Sequence, residues 1–372
     1  MPSLNVGKNR FLALDVFRGT TIALMILVNT PGSWQHVYAP LLHASWHGWT
    51  LTDLVFPFFL FIVGSASYFA LSKSDFSPTP ELLQKIVKRS ALLFLIGLGL
   101  NIYNYFLLEL DAIRIMGVLQ RIALCYLIAC VIILFSSPKQ MYLISAAVLL
   151  GYWLLVWLIG NDDPFSFAGN GLAVIDKALL GSRHMWSLQG SPFEPEGLLS
   201  TIPATINVLV GYEVTRRLSS TQHLLNELRK IIMVGGLMII VSYIFSLGFP
   251  INKNLWSSSY VLLTSGIALL ILVSFIWLVD IQKQAWLSYP WQIYGSNSLF
   301  IYCLSWLMAT TFWAIPIGDG VTSITPLYTY LYQSLLPLFK AEMASFVFAL
   351  AHVLFFWLFS YALFKQRIFI KI

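Results

Sequence analysis

LLHASWHGWTLTDLVFPFFLFIVG, residues 41–64, sets two histidines and two tryptophans directly before an apolar run that continues through residues 53–72. About 20 mostly apolar residues are enough to cross the hydrocarbon core of a bilayer. The run therefore reads as a membrane-spanning helix, with His43 and His47 at its mouth. Outward from it, nine further segments satisfy the same rule: 11–29, 88–108, 114–135, 141–160, 198–217, 229–248, 259–279, 292–314 and 343–365. The stretch 324–338 is apolar but short and bracketed by prolines, so it reads as a re-entrant or surface segment.

Composition agrees. The chain is 58% hydrophobic and only 10% charged, with a mean hydropathy of +0.77, whereas soluble domains carry about a quarter charged residues. The expected fold is all-α: one polytopic transmembrane bundle of about ten spans over residues 1–372, surrounded by membrane lipids. Fifteen basic residues fall in one set of loops, among them Lys8, Arg10, Lys73, Arg89, Arg367 and Lys371. Five fall in the other: Arg114, Lys177, Arg183, Lys253 and Lys340. That bias places both termini in the cytoplasm and the 30–52 loop on the outer side. The net charge of +6 is thus an orientation signal, with no nucleic-acid partner implied. Cys125, Cys130 and Cys303 lie inside apolar runs without metal-ligand spacing and read as small core residues. No metal site is expected, and no serine-hydrolase elbow, zinc-protease motif or phosphate-binding loop is present.

Two arginines remain inside the spans, Arg18 and Arg121. A guanidinium in a bilayer needs a partner or a cavity. Asp15, three residues before Arg18, shares its helical face and can pair with it. Arg121 follows Gln120 and shares a face with Arg114, seven residues earlier. Nothing acidic lies in that segment, so an anionic ligand is expected there. Arg18 and Asn29 are eleven residues apart, nearly in angular register and separated by roughly 16 Å of rise. One face of the first helix thus links an inner cation to an outer amide, a layout suited to a long ligand with an anionic head and a reactive tip, as in acyl-coenzyme A. His43 is the natural proton acceptor for such a site, although histidines beside tryptophans also belong to interfacial belts, the reading preferred for His47. Asp53 starts the second helix, where it can cap the helix or orient His43.

The motifs LDVFRG (14–19), ILVNTPGSW (26–34), the quoted 41–64 stretch, GVLQRIALCY (117–126), PEGLLSTIPA (195–204), PINKNLWSSSYVL (250–262) and GSNSLFIY (295–302) occur in that order. Together they resemble the heparan-α-glucosaminide N-acetyltransferase family, from about residue 10 to the basic tail. The resemblance implies a polytopic bundle that passes acetyl from cytosolic acetyl-CoA to a glucosamine amine, or a glycan end, on the far side. By residue, it implies a catalytic His43 with Asn29, and it matches Arg121 and the pair Asp15 and Arg18 to family motifs. Asp53 is further expected at the catalytic site, and Arg18, Gln120, Arg121, Lys253 and Asn297 are expected to hold the donor. Trp46, His47 and Glu196 are expected at the acceptor. Set against the animal members, no counterpart of their large N-terminal luminal region and first span is expected, and a bacterial inner-membrane role is the expectation. Homodimer formation, an acetyl-histidine intermediate, O-acetylation of a surface glycan and amino-sugar transport all stay open.

Overall fold

The computed structural model describes residues 11–318 and 324–370; Lys8, Arg10 and Lys371 lie outside the described residues. Thirteen α-helices run through these residues: α1 Leu12–Asn29, α2 Val55–Leu71, α3 Pro80–Leu107, α4 Val118–Phe135, α5 Pro138–Ile159, α6 Leu172–Leu180, α7 Thr201–Ser220, α8 Leu224–Phe245, α9 Ser258–Phe275, α10 Ala285–Ser296, α11 Ser298–Ala314, α12 Leu327–Gln333 and α13 Ala341–Lys365. The only sheet among the described residues is two short antiparallel ribbons. The chain is an all-α polytopic membrane bundle.

Among the described residues, eight helices are long and apolar enough to cross a membrane: α1 to α5, α8, α9 and α13. All ten expected spans are helical. The two beyond these eight are α7, which carries Glu213, Arg216 and Arg217, and the α10–α11 pair. The most apolar windows of α1, α2, α4 and α9 are 56–67% buried, against 17–28% for α3, α5, α8 and α13. The first group is therefore the core and the second the outer ring, whose exposed Phe106, Leu143 and Met233 suit hydrocarbon contact.

Three boundaries differ from expectation, each for a local reason. Helix α3 begins at Pro80 because Thr79 accepts the Leu82 N–H at 3.3 Å and proline takes the first turn. Arg89 consequently lies within a spanning helix. Helix α4 begins at Val118, so Arg114 lies in the preceding loop and shares no helical face with Arg121. The expected span 292–314 is broken at Asn297. The Asn297 side chain turns to the C-terminal tail instead, donating to the Ile368 carbonyl at 3.0 Å and accepting from the Ile370 N–H at 2.7 Å.

Core helices meet through glycine. A Cβ on Gly64 of α2 would stand 1.8 Å from the Val208 carbonyl oxygen, and one on Gly211 of α7 only 1.9 Å from that of Phe61. Backbones can approach this closely only with small residues between them.

The chain crosses back and forth so that five connections, 30–51, 108–117, 160–200, 246–257 and the described parts of the last, 315–318 and 324–340, gather at one end, the loop end. They interlock: Gly48 N–H donates to Ile251 at 2.8 Å, Ile115 N–H to His184 at 3.1 Å, and the Trp46 indole to the Phe165 carbonyl at 2.8 Å. Gly48, with φ at +97°, makes the turn between His47 and Trp49 that a side chain would strain.

Candidate active site

The loop end gathers His43, Asp53, Lys253, Glu196 and Arg121, drawn from four separate stretches of chain. Asp53 lies in a short 3₁₀ turn that leads into α2. It caps nothing in that helix, contrary to one of the two expectations. Its carboxylate turns back into the preceding loop, where Oδ2 accepts from the Ala44 N–H at 3.1 Å and the Thr50 N–H at 3.0 Å. Oδ1 meets His43 Nδ1 at 2.6 Å. Pro57 cannot supply the helical N–H for the Asp53 carbonyl; the Tyr260 hydroxyl of α9 donates to it instead. Asp53 is thus fixed from both sides, with its side chain 1% exposed.

His43 presents its other edge outward, its side chain 44% exposed. Lys253 lies against the same ring, Nζ 3.1 Å from Nδ1 and 3.0 Å from Nε2, and 3.9 Å from Asp53 Oδ1. Burial in a dense protein shell and the Lys253 charge lower the His43 pKa below its ordinary value, against the upward pull of Asp53 and Glu196. Burial likewise lowers the Lys253 pKa.

Behind the dyad is a buried ionic trio. Arg114 donates from Nε to Glu194 at 2.9 Å and from Nη2 to Glu194 and to Glu196, the last at 2.6 Å, and its guanidinium lies 5.2 Å from the Trp186 ring centroid. The segment of Arg114 holds nothing acidic, and its acidic partners come from the long loop. Burial raises the Glu194 pKa. Glu196, though buried, is held below its ordinary value by Arg114, Arg121 and Lys253. Asp176, which accepts the Leu198 N–H, is pushed by burial to about 6.

Arg121 is fully buried. Its Nη2 donates to the Gly197 carbonyl at 3.1 Å and to Ser200, and its guanidinium lies 4.9 Å from the centroid of the Trp256 ring. Its Nε and Nη1 have no hydrogen-bond partner, an expensive arrangement for a buried cation.

The other expected residues divide. Asn29 ends α1 at the loop end and is exposed. Trp46 packs edge-on against Phe167 and Phe193, tying loops together, while Trp34 and Trp49 stay open at 53% and 37% exposure. His47 meets Asn252 at 3.4 Å. Gln120 packs against Gly97 and donates to the Ile115 carbonyl at 3.0 Å. Asn297 holds the tail as described above.

At the opposite end, a cleft of about 600 Å³ is lined by Asp15, Arg18, Lys73, Arg89, Phe369 and Ile370, among others. That volume is within the roughly 300–1,000 Å³ of small-molecule pockets. Arg18 donates to Asp15 at 3.0 Å. Arg89 has an unpartnered buried Nε and lies 5.0 Å from the Tyr126 ring centroid. Lys73 and Arg89 read from sequence only as loop charges; their convergence on Arg18 comes from the early start of α3 and from the α2–α3 turn. Lys253, Gln120 and Arg121 do not line this cleft.

A family model described as "Heparan-alpha-glucosaminide N-acetyltransferase, catalytic" matches residues 10–173, which include Arg18, Asn29, His43, Asp53 and Arg121. The chain is 31% identical over 353 residues to the human heparan-alpha-glucosaminide N-acetyltransferase, covering 79% of this chain and 52% of that protein. Against the mouse protein of the same name the identity is 32% over 352 residues, covering 80% and 53%. The chain spans about half the length of these curated relatives.

Proposed function

The chain belongs to the heparan-α-glucosaminide N-acetyltransferase family, and from that premise we propose that it is a transmembrane acetyltransferase. The donor is acetyl-CoA, reached from the cytosol. The acceptor is the amine of a glucosamine-type sugar, free or at a glycan end, on the outer side of a bacterial inner membrane. The observation that carries this reading is the pairing of two sites on one bundle. An acid–base dyad, His43–Asp53, opens at one end, and a cleft with three cations opens at the other. Helix α1 joins them, with Arg18 at the cleft and Asn29 at the loop end. The five basic residues at the loop end, against the excess elsewhere, support placing that end outside.

In the reaction, Arg18, Lys73 and Arg89 hold the phosphates of the donor, and its extended arm brings the thioester toward Asn29. The acceptor enters among the loops, where Trp34 and Trp49 offer faces for a sugar ring. His43 Nε2 takes a proton from the amine as its nitrogen attacks the thioester carbonyl. The C–N bond forms, the C–S bond breaks, and the proton passes from His43 to the departing sulfur, so CoA leaves as the thiol. Asn29 donates to the developing oxyanion, a contact of about 3 kcal/mol in comparable sites. The unpartnered N–H groups of Arg121 offer a second place for a polar group of either substrate.

The test is CoA release by purified protein given acetyl-CoA and glucosamine, with His43→Ala as control. Release should fall on the order of 10²-fold or more in the variant, and the product should carry a base-stable amide. Wild-type release no higher than that of the variant would overturn the reading and leave transport of an amino sugar as the activity.

A further inference from the structure

We infer that Lys253 is a positioning residue that holds His43 in its uncharged, proton-accepting form; the inference rests on the acetyl-transfer reading above. The ammonium nitrogen is 3.1 Å from one ring nitrogen and 3.0 Å from the other. The two nitrogens flank Cε1, so a group equidistant from both cannot lie along the lone pair of either. It must rest against the ring face. The in-plane position at Nε2 is therefore left for a substrate amine, while Nδ1 faces Asp53.

Lys253 is held there by its own turn. The Lys253 carbonyl accepts the Trp256 N–H at 3.0 Å, and the Asn252 side chain accepts the Leu255 N–H at 2.9 Å. The neighbouring Ile251 carbonyl bonds to Gly48, in the loop that carries His43. The lysine side chain is only 17% exposed, so its charge is poorly screened by solvent.

The need for such a group follows from the dyad. A carboxylate at 2.6 Å pulls an imidazole toward its cation, and an imidazolium cannot accept a proton. Lys253 opposes that pull. The other charges around the ring do not replace it: Glu196, from the long loop, pulls in the same direction as Asp53 and is itself tied to Arg114, while Arg121 of α4 acts on Lys253 and Glu196. His47, four residues along, meets Asn252 and leaves the ring of His43 alone. Once His43 has taken the amine proton, the same ammonium disfavours the imidazolium and drives the proton on to the departing sulfur.

The experiment compares Lys253→Met and Lys253→Arg in the full chain. The acidic midpoint of kcat/KM for CoA release is followed, together with the titration of ¹⁵N-labelled histidine, His43 being assigned with His43→Gln. Removing the charge in Lys253→Met should move both midpoints to higher pH by about one unit. Lys253→Arg should leave them near wild type, and KM for acetyl-CoA should stay unchanged in both variants. An unmoved ring titration in Lys253→Met overturns the inference even if that variant turns over too slowly to assay. A raised acetyl-CoA KM with an unmoved midpoint also overturns it and returns Lys253 to the donor phosphates. CoA release that survives His43→Ala would instead sink the acetyl-transfer reading, which the ring titration does not depend on.

Discussion

At the scale of single residues, the chemistry turns on which nitrogen of His43 carries the proton. An Asp53 carboxylate can only accept, so at 2.6 Å it selects the tautomer with the proton on Nδ1 and leaves Nε2 bare. Asp53→Asn loses that selection, and kcat for CoA release should drop on the order of 10²-fold. It also removes an upward pull on the ring, so any remaining activity should have its acidic midpoint at lower pH, the opposite sign to Lys253→Met. In the wild type, burial and Lys253 hold the ring below its ordinary value. A neutral base is needed, so kcat/KM for acetyl-CoA, taken at saturating acceptor, should fall as pH drops through a midpoint below the ordinary histidine value. A midpoint above 7 would contradict the assigned electrostatics. Of these contacts, the ten-residue spacing of His43 and Asp53 beside Pro57 was suggestive in the sequence. Lys253, more than 200 residues away, was not, because nothing local distinguishes a lysine that meets a ring from one that meets a phosphate.

Helices and their junctions set the next scale. Hydropathy alone locates all ten apolar segments, because each must satisfy its own backbone in lipid and so must be helical. It misses the break at Asn297, since the short polar run Gly295–Ser298 is outweighed by apolar residues farther out on both sides, and the Asn297 side chain finds its partners only in the distant tail at Ile368–Ile370. Asn297→Ala should free that tail, which walls the cationic cleft, and raise KM for acetyl-CoA several-fold with kcat little changed. Equal KM values would show that the tail does not shape the donor site. The α2–α7 contact is tighter. In Gly211→Ala the new methyl meets the Phe61 carbonyl oxygen at 1.9 Å, and separating two core helices to admit it should cost about 1–3 kcal/mol. A lower Tm in detergent would report this; an unchanged Tm would mean the helices are not so closely held.

Over the whole molecule, two chemically different ends share one bundle. The loop end is knit by hydrogen bonds among connections far apart in sequence and by the Arg114–Glu194–Glu196 trio. Removing the arginine leaves two buried carboxylates without their counter-charge. Arg114→Met should therefore cost about 3–5 kcal/mol, seen as a lower Tm together with loss of activity, while a Tm within a degree of wild type would show that the loops do not depend on it. The charge asymmetry between the ends was readable from the placement of lysines and arginines. The trio was not, because its members reach one another only after the 160–200 loop folds over the mouth of α4. The most direct measurement of the central claim is acetyl transfer in proteoliposomes, with acetyl-CoA confined to one face and glucosamine to the other. N-acetylglucosamine should form when acetyl-CoA is on the face of Arg18, Lys73 and Arg89, and should vanish with His43→Ala. Product that forms only when both substrates share a face, or that persists without His43, would contradict it.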